Sequence, residues 1–206
     1  MRLKTSFILK VCKTLSLLCL AVLSMSAKAG VFDLASHVDI GNWSAGLEPE
    51  VLLGSDTGAG INLKPRYGIS DILNIGGIVG VGSSAKAFRV GAIADLDWFP
   101  DYKSQPGIAT PLFVEFSRQN SVGFTQIGVK PMLYKGFDGT MAHFTPFIAI
   151  PIGWNFFASR VQAFSQIALG SMMHIPSQKN VAFTCEAGFN ISNTNSYISG
   201  GFTYFH

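Results

Sequence analysis

Residues 42–70 constrain the fold more than any other stretch, because apolar and polar positions alternate there almost without error. On the first arm Trp43, Ala45, Leu47, Pro49, Val51 and Leu53 are apolar, while Asn42, Ser44, Gly46, Glu48 and Glu50 are small or polar. On the second arm Ile61, Leu63, Pro65, Tyr67 and Ile69 alternate with Asn62, Lys64, Arg66, Gly68 and Ser70. A period of two over arms this long specifies β-strand. The turn formers Gly54-Ser55-Asp56-Thr57-Gly58-Ala59-Gly60 join the arms into a hairpin. Folded symmetrically about Thr57, the hairpin sets Leu53 opposite Ile61, Glu50 opposite Lys64 and Glu48 opposite Arg66. The charges then share one face and pair by sign across the strands. The other face carries none, which points to lipid on one side and a packed polar interior on the other.

The N-terminus reads as an export signal. Arg2, Lys4, Lys10 and Lys13 precede or interrupt an apolar core over Val11 to Leu23, and Ala27-Lys28-Ala29 offers small residues at the positions a signal peptidase reads. That core is shorter than the roughly 20 residues a membrane span needs. Ser16-Leu17-Leu18 ahead of Cys19 lacks the small residue of a lipoprotein site. The chain therefore divides into a cleaved signal peptide over 1–29, a lead-in or start of the first strand over 30–41, and a barrel over 42–206.

Cleavage removes five of the fifteen basic residues and none of the twelve acidic ones, so the mature chain carries a net charge of −2. The pI near 8.8 belongs to the signal. No basic patch remains to suggest nucleic acid. Of three cysteines only Cys185 survives, which rules out an intrachain disulfide and a thiolate metal site. After the signal, no apolar run is long enough for a membrane helix, yet charged residues are only 13%, where about 25% is usual. An exported chain this apolar has one common membrane solution, a closed β-barrel.

Alternation continues to the end of the chain. Leu73, Ile75, Gly77, Val79 and Val81 form one face of a third strand, and Phe88, Val90, Ala92, Ala94, Leu96 and Trp98 the outer face of a fourth, against Arg89, Asp95 and Asp97. A fifth sets Leu112, Val114 and Phe116 against Glu115 and Ser117; a sixth sets Ile127, Val129 and Leu133 against Gln126, Gly128 and Lys130. Phe144, Ile148, Ile150, Ile152 and Trp154 mark the seventh, and Gln162, Gln166 and His174 the polar side of the eighth. The ninth carries Thr184, Glu186, Gly188 and Asn190 on one face, and 197–206 is the tenth. The count is ten antiparallel strands, with eight as the alternative. Pro49, Pro65, Pro111, Pro131, Pro146 and Pro151 fall inside these runs, where proline is unusual, and bulges or strand ends must absorb them.

A soluble barrel such as a lipocalin also alternates, but is apolar inside and polar outside. Here the polar face is crowded with Gly, Ser and Asn, which suits a tight interior better than a water-facing surface. The apolar face carries Trp43, Tyr67, Trp98, Phe144, Trp154 and Tyr204 near strand ends, as interfacial girdles do. The fold class is thus all-β, a single up-and-down transmembrane barrel.

Ser199, Gly201, Phe202 and Tyr204 sit at the spacing of a barrel assembly signal: a polar residue, a glycine two later, then alternating aromatics. The last position is His206, where the pattern has phenylalanine. In these residues the chain resembles a bacterial outer-membrane β-barrel protein of the small monomeric type. The resemblance implies Sec-type export, insertion by the barrel assembly machinery, and residence among outer-membrane lipid and lipopolysaccharide as a monomer. It also implies that both termini face the periplasm. The connections at 54–60, 83–87, 118–122, 158–160 and 193–196 are then external, and those at 70–72, 100–107, 136–143 and 176–180 internal.

The inward charges are Glu48, Glu50, Lys64, Arg66, Arg89, Asp95, Asp97, Glu115, Lys130 and Glu186. They line a narrow polar pore in one reading and form a salt-bridged plug in the other. The plug is favoured, since a barrel of this size has interior enough only for its own side chains and pairing offsets the cost of burying charge. The expected function is a wall component or a narrow passive channel. The alternative is a lipid A-modifying enzyme, suggested by His143 and Thr145 on one strand face. A lone His-x-Thr arises readily without catalysis, so no catalytic residue is expected. His37 and His174 have no evident partner, and neither a metal nor any other cofactor is expected. Gly76-Gly77 and Gly80-Val81-Gly82 precede no helix and read as strand glycines, not phosphate loops.

Overall fold

The computed structural model describes residues 37–206 apart from 54–56, 84–86, 120–121 and 179. The signal peptide expected over 1–29, and most of the lead-in, lie outside the described residues. Among the described residues the regular elements are all strands: β1 (Trp43–Leu53), β2 (Gly58–Ser70), β3 (Leu73–Gly82), β4 (Phe88–Phe99), β5 (Gly107–Gln119), β6 (Val122–Val129) and β7 (Met132–Tyr134). After them come β8 (Phe137–Asp138), β9 (His143–Ala149), β10 (Ile152–Phe157), β11 (Val161–His174), β12 (Val181–Ser192) and β13 (Ser196–Phe205).

Thirteen segments make ten staves. Lys130-Pro131 separates β6 from β7, yet β5 pairs with both in one register, Leu112 with Val129 and Ala109 with Met132. Likewise Ile150-Pro151 separates β9 from β10, and β11 pairs with both, Ala168 with Ala149 and Ser165 with Ile152. The two-residue β8 is an appendage folded back on β9 within the expected loop 136–143. Every stave is antiparallel to both neighbours, and β1 pairs with β13 to close the barrel. This is the ten-stranded count; eight does not fit.

Five of the six prolines are accommodated by what lies beside them. Pro49 pairs with Ile61 on the β2 side, while on the β13 side the ladder skips from Leu47–Phe202 to Glu50–Ser199. Gly200 and Gly201 occupy the gap, and Ser199 Oγ donates to the Pro49 carbonyl at 2.8 Å. Pro65 repeats the device: β3 skips from Val79 to Gly76 beside it, across Gly77 and Ile78. Pro111, Pro131 and Pro151 form a staircase over adjacent staves. Their carbonyls accept from Lys130 N (2.8 Å), Ile150 N (3.0 Å) and Gln166 N (3.0 Å). Proline removes only a donor, so the ladder passes each step with one bond fewer and no change of register.

The expected faces hold on every stave. Leu63, Ile75, Val79, Val90, Val114, Ile127, Ile148 and Leu169 are exposed on the outside. Among the girdle aromatics Trp43 lies opposite Tyr67 across β1 and β2 and meets Tyr204 in a tilted contact at 5.8 Å. His206 joins this end of the seam, its ring 5.2 Å from Trp43 and its amide donating to the Trp43 carbonyl at 3.0 Å.

The hairpin register differs from the symmetric expectation. Glu50 lies opposite Gly60, Glu48 opposite Asn62, Gly46 opposite Lys64 and Ser44 opposite Arg66, so the centre falls two residues before Thr57 and β2 begins at Gly58. The shift is even, which keeps every side chain on its expected face. Volume explains it. Each long charged side chain faces a smaller residue, and a Cβ on Gly60 would stand 3.3 Å from the Glu50 carboxylate. Glu50–Lys64 and Glu48–Arg66 are therefore not cross-strand pairs; inside the barrel the charges meet diagonally.

Candidate functional site: the barrel interior

Of the ten inward charges read from the sequence, nine are buried and Asp97 is half-buried, all on lumen-side positions. Lys64 Nζ reaches Glu48 at 2.7 Å, one step diagonally across β1 and β2. Arg66 crosses β3 to Asp95 on β4, Nε to Oδ2 at 2.5 Å. Arg89 Nε meets Glu115 on β5 at 2.7 Å, while its Nη1 approaches Glu50 on β1 at 3.6 Å and donates to Asn62 Oδ1 at 3.5 Å. Ser117 Oγ donates to Glu115 at 2.5 Å. Through Arg89 one network ties β1, β2, β4 and β5 across the lumen, with the Lys64–Glu48 and Arg66–Asp95 pairs beside it. A second bolt lies on the other wall. Lys130 Nζ donates to both Glu186 oxygens at 3.1 Å, and the hydroxyl of the fully buried Tyr197 donates to the same carboxylate.

The interior also holds apolar layers, which the polar-face reading missed. Phe113, Phe147, Phe164, Tyr134 and Tyr197 point inward and are buried. Each lies directly across from a glycine: Phe113 from Gly128, Gly153 from Phe164, Gly170 from Phe147, Gly107 from Tyr134 and Gly188 from Tyr197. A Cβ on any of these glycines would strike the ring. The strand glycines are seats for aromatic rings, an arrangement that restores packing where glycine supplies none. Ile78, Ile93, Phe113 and Phe164 form one buried cluster, and Met132, Phe147, Ala149, Ala168 and Met172 belong to another.

The second cluster includes Val38 from the lead-in, only 2% exposed. Asn74 holds this segment in the mouth beside the termini. With its amide nitrogen toward the Val38 carbonyl, it donates there at 3.0 Å and accepts from Val38 N at 3.0 Å and from His37 Nδ1 at 3.3 Å. Gly41, at φ 79°, makes the turn from this segment into β1. His37 is thereby given a partner that the sequence did not suggest.

The other histidines sit at the same end. His143 lies directly across from His174, whose ring meets Phe205 in a tilted contact at 5.6 Å. His143 Nδ1 is 2.8 Å from Asp138 Oδ1, and both side chains are exposed. The histidine is thus engaged by a carboxylate of the β8 appendage, while Thr145 is buried two residues further in. Nearby, Asp101 accepts from Lys135 and from Gly136 N (2.6 Å), and these bonds hold its carboxyl below the usual range. Among the described residues no group of three His, Cys, Asp or Glu is placed to hold a metal.

At the opposite end, where β5, β6, β10 and β11 end or begin, the interior opens into a cavity of about 240 Å³. Its walls are Gln126, Asn155, Gln162 and Gln166 with the 193–195 connection, and Phe124 and Phe157 stack there at 5.1 Å. Arg89, Glu115 and Lys130 form part of its lining. The alternation already put Gln126, Gln162 and Gln166 on the lumen side. Their gathering at one mouth follows from register.

No protein-family model and no curated protein matches the sequence. Solved structures are similar in fold. A designed transmembrane β-barrel is 10% identical with a TM-score of 0.41, the match covering 83% of this chain and 100% of that one. Ail, the attachment invasion locus protein of Yersinia pestis, in complex with the heparin analogue sucrose octasulfate, is 11% identical with a TM-score of 0.32, over 80% of this chain and 97% of that one. A second structure of Ail gives 10% identity and a TM-score of 0.30, over 82% and 100%. At these identities the likeness concerns the fold alone.

Proposed function

We propose that this chain is a small, monomeric outer-membrane barrel protein that serves as a wall component with a plugged lumen. The observation that carries the reading is the side-to-side bracing of the interior: Lys130–Glu186–Tyr197 on one wall, and the Arg89 and Arg66 ion pairs across the other. Ring–glycine seats fill the levels between them, and Val38 occupies the mouth beside the termini. An ion crossing such a lumen would have to part buried pairs whose charges are costly to separate. The unbroken apolar outer face fits lipid and lipopolysaccharide, and Ser199, Gly201 and Tyr204 fit delivery by the barrel assembly machinery after Sec-type export. On this reading the refolded protein gives no resolvable current steps in a planar bilayer. Discrete steps that survive purification would replace the plug with the narrow passive channel.

The enzyme reading is kept second because of the 2.8 Å His143–Asp138 contact. Within the described residues that dyad has no hydrogen-bonded hydroxyl to activate, and we read the chain as non-enzymatic. The lipid A profile of cells expressing His143→Ala should match that of cells expressing the wild type. A modification present only with wild type would restore the enzyme.

A further inference from the structure

The cavity at the mouth opposite the termini has a lining that selects a ligand class. Three wall glutamines use their Nε2 groups within the protein: Gln126 donates to Asn155 Oδ1 at 3.0 Å, Gln162 to Asn193 Oδ1 at 3.3 Å, and Gln166 to the Asn195 carbonyl at 2.6 Å. Among the described residues their Oε1 atoms accept nothing, so the wall retains three amide oxygens that call for donors. The amide framework is already fixed. Asn155 Nδ2 donates to the Asn193 carbonyl at 3.1 Å and Asn193 Nδ2 to the Ala163 carbonyl at 2.8 Å, tying the 193–195 connection to β10 and β11. A wall ordered in advance adds little entropy cost on binding.

Charge narrows the class further. Arg89 and Lys130 in the lining oppose an ammonium ligand, and Glu115 opposes a carboxylate or phosphate; each is engaged in an ion pair. The stacked Phe124 and Phe157 rings add an apolar surface beside the acceptors. The complement is a neutral molecule with several hydroxyl donors on its edge and C–H groups on its faces. A cavity of about 240 Å³ equals about eight waters at ~30 Å³ each, a space suited to one six-membered sugar ring.

We propose that this cavity binds a single neutral pyranose ring, presented free or as the terminal residue of a surface glycan. The proposal does not depend on whether the lumen below conducts. Saturation-transfer NMR on the full mature chain, refolded in detergent, tests it with methyl glucoside, methyl galactoside and N-acetylglucosamine, and with core oligosaccharide released from lipopolysaccharide. Glucuronate and glucose 6-phosphate serve as anionic counterparts. Transfer between ligand and aromatic ring protons is expected for at least one neutral sugar or for the oligosaccharide, and the arm that responds identifies the source. Anionic sugars should bind at least about tenfold more weakly, as should the best ligand to Gln126→Leu or Gln162→Leu, each of which strips an acceptor. Gln162 lies on the rim, so its variant keeps the test decisive if Gln126→Leu does not fold. No transfer from any neutral sugar or oligosaccharide, equal binding of the anions, or unchanged affinity in folded variants would overturn the proposal.

Discussion

Lys130 shows how a cation is made tolerable inside a barrel. It is fully buried beside Pro131, its Nζ is 3.1 Å from both Glu186 oxygens, and the Phe147 ring centroid lies 5.9 Å away. Lys130→Met would take the ammonium from Glu186 while the Tyr197 hydroxyl still donates to that carboxylate, and breaking one side of a buried pair costs about 3–5 kcal/mol. Lys130→Met combined with Glu186→Gln removes both charges, keeps an acceptor for Tyr197, and should recover most of that loss. Urea titrations of the wild type and the two variants in detergent micelles measure it. A double variant no more stable than Lys130→Met alone would show that the pair is not the source of the stability. The same residue marks a limit of sequence reading. Alternation put Lys130 and Glu186 inside, but they lie on staves separated by two others, and nothing in the linear order says that they meet. The ring seats were hidden for a related reason. Gly188 and Tyr197 become partners only through the β12–β13 register, so from the sequence Gly188 is merely a small residue on a polar face.

At the scale of elements, what was legible was parity. A period of two needs no register to be read, and lumen-side and lipid-side assignments therefore survive the four-residue change of partner in the opening hairpin. What was not legible was which residues oppose one another. Sign pairing suggested Glu50 with Lys64; side-chain volume instead set Glu50 opposite Gly60 and sent Arg89 toward it from β4. The prolines were the other uncertainty, and the skipped pairs beside Pro49 and Pro65 resolve it through the glycines that face them. Parity makes its own prediction. Leu63 lies on the outer face of β2, 48% exposed and opposite Leu47 and Val79. Leu63→Arg should cost roughly 2–4 kcal/mol if it lies near the bilayer midplane. Asn62→Ala, one residue away on the lumen side, should instead register through Arg89, whose Nη1 it receives. Refolding into lipid vesicles under urea compares the two. If Leu63→Arg proves as stable in lipid as wild type, that face lies away from the bilayer.

At the scale of the whole molecule, the two mouths differ in how they are finished. The mouth opposite the termini is left as a polar cup, whereas the other holds chain that precedes the first strand. Val38 is buried in the cluster that holds Ala109, Met132, Tyr134 and Ala149, and Asn74 bonds both of its backbone groups. A short segment gains little from one buried valine, about 1.5–3 kcal/mol for full burial, and loses backbone freedom on docking. Its hold therefore depends on Asn74, which the barrel supplies from β3. Ala149, 1% exposed on the lumen side of β9 in the same cluster as Val38, reports on the seal. In a Cys185→Ser background, which removes the exposed cysteine on the outer face, Ala149→Cys should resist a water-soluble maleimide in the folded protein. Adding Asn74→Ala, or deleting residues 37–40, should raise its labelling rate by an order of magnitude or more, about 1.4 kcal/mol per tenfold if labelling follows the opening equilibrium. A cysteine at Ser117, on the lumen side nearer the other mouth, should label at the same rate before and after. If the Ala149→Cys site labels equally fast with the lead-in intact, Val38 does not seal that end; if both sites accelerate together, the lead-in supports the barrel as a whole and not the mouth it occupies.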